Sequence, residues 1–170
     1  MYYQKTFDAI IATPVSIEEV IAGELLWGAT RSLISSSIVL AVVAAFGLIT
    51  SPLFIMIPML SFFGGLMFAS IAMCFTALAP NIDFFNYPAF LFITPMFLLS
   101  GTFFPLSQLP QFMQVIAQAV LPLTHTVILS RSLILGNIEA ILLISLAWIA
   151  IVTLVFFVLS INLMKRKLIK

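Results

Sequence analysis

Thirteen charged side chains divide this 170-residue chain into three long uncharged runs: Ser32–Ile82, Phe84–Ser130 and Ala140–Met164, of 51, 47 and 25 residues. About 20 apolar residues in helical form cross ~30 Å of hydrocarbon. A soluble domain carries about 25% charged residues. Here they are 8%, against 63% hydrophobic and a mean hydropathy of +1.26, too few polar side chains to cover a water-facing surface. The pattern predicts an all-α integral membrane protein.

The last run holds one span, read over 139–163. The first holds two if it breaks near its middle, and Thr50-Ser51-Pro52 supplies the break, because proline lacks an N–H and disfavours helix in the residue before it. Spans are therefore expected at 17–48 and 53–79. In the second run, Asp83 and Asn86 can cap a helix opening at Tyr87-Pro88, which crosses over 87–104 with a kink at Pro95. Pro105, Pro110 and Pro122 then cut the chain into pieces of about a dozen residues, which suits a broken, re-entrant hairpin over 105–137. Four spans place both ends on one side. With that side cytoplasmic, Lys5, Arg31, Lys165, Arg166, Lys167 and Lys170 lie inside and only Arg131 outside, a six-to-one bias of the expected sign. The start, MYYQKTFDAI, has no secretory-signal pattern.

Ahead of the first span, Tyr3, Phe7, Ile10 and Ile11 share one helical face and Pro14 ends the stretch. Both a helix lying on lipid and a docking element for a cytoplasmic partner fit this pattern. Ser16 and Glu19 make a capping box that starts the next helix, and Arg31 can snorkel to the interface. Ser61, Gly65 and Ala69 recur at four-residue spacing, a row that permits close helix approach. Within the hairpin, Gln111, Gln114 and Gln118 oppose Phe112, Met113, Ile116 and Val120 on an uncharged amphipathic helix; Thr124 can cap a second helix that ends at Gly136. His125 and Arg131 on that second helix are candidates for headgroup or substrate contact.

Enzymatic signatures are missing. The sequence has no GxxxxGK[ST] phosphate loop, no HExxH and no nucleophile–base pair, and its spans lack the ionisable relay that ion-driven transporters use. A net charge of +1 gives no field for nucleic acid, and a single Cys (Cys74) and single His leave no metal cluster. The chain is therefore read as a non-enzyme with no cofactor or metal of its own. Uphill movement by it requires energy from a partner; a passive conduit and a membrane scaffold are the other readings.

Four stretches carry a family resemblance: FDAIIATPVSIEEVIAGELLWGATRS at 7–32, TALAPNIDFFNYPAFLFITPMFLLSGTFFPLSQLP at 76–110, LPLTHTVILSRSLILG at 121–136, and the basic tail. In order and spacing they resemble the ABC-2 type transporter permeases, in the nodulation-protein-J and daunorubicin-exporter branch. The resemblance implies a six-span exporter subunit of a bacterial inner membrane that pairs with a second permease copy and with cytoplasmic ATPase subunits, which bind ATP and Mg. It implies that a coupling helix, here Phe7, Asp8, Ile10, Ile11, Thr13 and Pro14, docks on the ATPase. The four spans then correspond to the family's third to sixth, its first two having no counterpart in this sequence. Lipid-linked saccharides, polysaccharides and drug-like amphiphiles are the implied cargo classes; the alternative is a truncated, transport-incompetent scaffold or remnant.

Overall fold

The computed structural model describes residues 15–49, 51–80, 84, 86–136 and 141–168, and among these the regular structure is helical throughout. Helix α1 (Ile17–Ala45) opens on the expected capping box: Glu19 N–H donates to Ser16 Oγ and Ser16 N–H to the Glu19 carboxylate. It stops at Ala45 instead of 48, because Gly47 takes a φ of +68° and reverses the chain. Ser51 then receives the Leu53 N–H on its hydroxyl, Pro52 begins a 3₁₀ turn over Pro52–Met56, and α2 (Ile57–Leu78) returns antiparallel to α1.

The next helix departs from expectation. Helix α3 (Asn86–Leu99) has 14 residues, or about 21 Å at 1.5 Å per residue, and ends well before 104. Its middle, Ala89–Ile93, is a π-helical turn. Pro95 explains this, since its ring cannot sit under the carbonyl four residues back and the widened turn makes room for it. Gly101 at φ +81° closes the helix. The hairpin follows as α4 (Gln111–Val120) and α5 (Pro122–Leu135), bent by 96° at Leu121. Gly136 ends α5 in the left-handed conformation, as its position suggested. Thr124 is not the cap: Leu121 holds that place, and the Thr124 hydroxyl is buried with no hydrogen-bond partner. Pro122 at the first helical position presets the turn without needing a side-chain cap.

Helix α6 (Ile141–Leu168) returns to the starting end. There Lys165 pairs with Glu18, and Lys167 Nζ donates to the Thr76 and Ala79 carbonyls at 2.9 and 2.7 Å, satisfying the open end of α2. At the opposite end Gly136 meets Ser51, where an added Cβ would stand 3.1 Å from the serine Cβ. The first helix thus begins, and the last ends, at the same end of the bundle. Three helical stretches, 17–45, 52–78 and 142–167, are long and apolar enough to cross a bilayer; the bent α4–α5 pair is a fourth if counted as one span.

Helix α2 is central. Leu60, Met67 and Ile71 pack with Leu129 of α5 and with Leu142 and Ile149 of α6, while Ile21 and Leu25 of α1 meet Met164 near the charged end. A third cluster joins Met96, Ala117 and Leu121 beneath Phe68, so the hairpin apex reaches the middle of α2.

Candidate functional site

The hairpin is held by two polar fixings. His125 sits one turn into α5, only 5% exposed, with its ring stacked on Trp148 of α6 at 4.4 Å between centroids. Its Nε2–H donates to the Gln118 carbonyl at 2.8 Å, which makes Nδ1 the acceptor for the Ser145 hydroxyl at 3.1 Å. One imidazole therefore ties α4, α5 and α6 together. At this depth both ring nitrogens are engaged inside the protein.

Arg131 is the second fixing. Its side chain is exposed at the edge of α5, and Nη2 donates to the Gly101 and Thr102 carbonyls at 2.6 and 3.4 Å. A left-handed turn leaves those carbonyls outside any helix ladder, and the guanidinium satisfies them with donors to spare. Ser100 and Thr102 share a hydroxyl–hydroxyl bond of 3.0 Å beside it.

The row of small residues on α2 faces α1. A Cβ on Gly65 would fall 2.5 Å from Ser32 Cβ, and one on Gly28 would lie 3.2 Å from Ala69 Cβ. Ser61, half-buried, continues the row one turn earlier. The adjacent Gly64 turns instead toward α5, where an added Cβ would touch Thr126 Cγ2 at 3.4 Å. Neighbouring glycines thus admit two different helices to α2.

Between α2, α5 and α6 lies an apolar groove of about 950 Å³. Leu53, Met56, Phe63 and Leu66 form one wall, Leu143, Leu146 and Leu154 the other, and Leu129 and Leu133 line it from the hairpin. From Leu53 to Leu66 it runs about 20 Å along the end of the bundle nearest Ser51. Ser132 and Thr153 are its polar lining residues, and the Thr153 hydroxyl is already bonded to the Ile149 carbonyl at 2.6 Å.

The coupling residues Phe7, Asp8, Ile10, Ile11, Thr13 and Pro14 lie outside the described residues. Among the described residues no three His, Cys, Asp or Glu side chains cluster as a metal site. The sequence reading missed Ser145, Trp148 and the groove. A serine three residues before a tryptophan in an otherwise apolar span was the available signal, but nothing in spacing joins it to a histidine 20 positions earlier.

The profile of the ABC-2 type transporter family matches residues 2–135. This chain belongs to that family. It is 33% identical over 169 residues to Nodulation protein J of Sinorhizobium fredii, covering 99% of this chain and 64% of that protein. Against Nodulation protein J of Rhizobium meliloti the identity is 38% over 138 residues (81% and 52%), and against that of Rhizobium leguminosarum bv. viciae 36% over 171 residues (100% and 65%). The chain thus spans less than two thirds of the length of these relatives. No solved structure matches the chain. Family membership and the long apolar helices together make this a multi-pass membrane protein of a transporter family.

Proposed function

We propose that the chain is a membrane-spanning subunit of an ATP-driven exporter in a bacterial inner membrane, moving a lipid-linked saccharide, polysaccharide or drug-like amphiphile outward. A separate cytoplasmic ATPase binds ATP and Mg and supplies the energy, and a second permease copy completes the path. The groove is the observation that carries this reading. It offers about 20 Å of uncharged wall to a hydrocarbon chain, and each buried methylene contributes about 0.8 kcal/mol. Ser132 lines the groove at the hairpin and is the polar side chain that the cargo's head meets there, while Arg131, its neighbour on α5, holds exposed donors outside the lining.

In this reading residues 3–14 dock on the ATPase. The capping box starts α1 at Ile17, directly after that segment, so displacement of the segment passes into a stiff helix. Both chain ends face the cytoplasm, in keeping with the excess of Lys and Arg there.

The test is to fill the groove. Met56→Trp and Leu146→Trp, each in a permease co-purified with its ATPase, are expected to lower export of an acylated oligosaccharide while ATPase binding is unchanged. Unaltered export from both variants overturns the groove as the cargo's path.

A further inference from the structure

Helix α1 presents a polar row on the side turned away from the bundle. Gly28, Ala29 and Ser32 pack toward α2, and this leaves Trp27, Arg31 and Ser35, at i, i+4 and i+8, exposed in line on the outer face. Around them the exposed residues are apolar: Leu26, Ile34, Ile38 and Val42. Arg31 therefore stands among exposed apolar side chains, about 8 Å beyond Leu26 along the helix. Trp27 is 64% exposed one turn below it.

A guanidinium exposed among apolar side chains attracts an anion. Among the described residues the ion pair is Glu18 with Lys165, and Arg31 has no carboxylate partner. Glu24 shares its face but stands seven residues away, about 10 Å along the axis, beyond hydrogen-bond reach. Packing against α2 fixes the rotation of α1, so the row cannot turn inward without driving Ser32 away from Gly65. The planar fork of arginine matches phosphate oxygens two at a time. A serine hydroxyl one turn above adds a donor, and an indole one turn below is the ring found at headgroup level. We infer that Trp27, Arg31 and Ser35 form a binding position for a phosphate-bearing headgroup on the lipid-facing side of α1. It is independent of the export reading, since it needs neither the ATPase nor the groove.

The test uses the whole purified chain in detergent, with phosphatidylglycerol as probe and retained lipid counted by native mass spectrometry. Arg31→Gln is expected to lower retention about fivefold, as for loss of one basic side chain at an anionic surface, and Ser35→Ala, which keeps every charge, is expected to lower it too, whereas Ser36→Ala, whose hydroxyl is bonded to the Leu33 carbonyl, retains the wild-type amount. Arg31→Lys falls between, keeping the charge and losing the fork. Inorganic phosphate in the same assay separates the sources: displacement of the lipid assigns the position to any phosphate, and no displacement assigns it to a lipid headgroup. Wild-type retention in Arg31→Gln or in Ser35→Ala, or an equal loss in Ser36→Ala, overturns the inference.

Discussion

The imidazole of His125 lies against the indole of Trp148, 4.4 Å between centroids and 26° between planes, and this stack joins the bent α4–α5 hairpin to α6. Packing would be served by any apolar side chain, but the two hydrogen bonds would not. His125→Phe is expected to preserve the stack and lose both, leaving the buried Ser145 hydroxyl unpaired at about 1–3 kcal/mol and the part-buried Gln118 carbonyl unpaired at a smaller cost. Ser145→Ala removes one bond and costs about 1 kcal/mol. Unfolding in detergent–denaturant mixtures measures both, with His125→Phe the more damaging.

Thr124 should respond in the opposite direction. Its hydroxyl is buried without a partner beside the His125 fixing. Thr124→Val keeps the shape and removes the unsatisfied group, for an expected gain of about 1 kcal/mol. The same denaturation measurement reads it, and a loss of stability would reveal a partner for that hydroxyl.

Close approach of α1 to α2 depends on Gly65. Gly65→Ala is expected to cost about 1–3 kcal/mol, since its methyl would stand 2.5 Å from Ser32 Cβ. Adding Ser32→Gly should recover part of this, the signature of a direct clash. Gly23→Ala, with nothing within 4 Å of the new methyl, is expected to stabilise α1 by about 0.5–1 kcal/mol.

Much of this architecture was legible because its signals are local. Ser16 and Glu19 cap within one turn, Gly136 sits where a left-handed residue ends a helix, and the uncharged runs mark the apolar stretches that the long helices contain. What escaped depends on partners distant in sequence or on competition between signals. Gly47 ended α1 before the Thr50-Ser51-Pro52 break could, and Pro95 widened the preceding turn of α3 where a kink alone was expected. Thr124 had the residue type of a cap, but Pro122 had already set the helix start. The site was less legible still. His125 meets Ser145 across 20 residues, Lys167 reaches Thr76 across 91, and the groove arises only where three helices converge.

The charged end also gives a topological test. Lys165 and Glu18 are 47% and 53% exposed, so Lys165→Ala is expected to change stability by less than about 1 kcal/mol. The pair's value is positional. Glu18→Cys with Lys165→Cys should be joined within one chain by a short bifunctional thiol reagent, and reporter fusions after Lys170 and near Gly136 should report opposite sides, the first cytoplasmic. A periplasmic report at Lys170 contradicts the orientation.

The central claim is that a separate ATPase drives cargo through this permease, and reconstitution tests it most directly. Proteoliposomes holding the permease with its ATPase are supplied with ATP on the cytoplasmic face, and appearance of an acylated oligosaccharide at the other face is followed. ATP-dependent transfer is expected, and it should fall away in Phe7→Ala and Ile10→Asp while ATP hydrolysis continues, because the docking segment no longer moves α1. Transfer unaffected by ATP, or equal in both variants and wild type, contradicts the account.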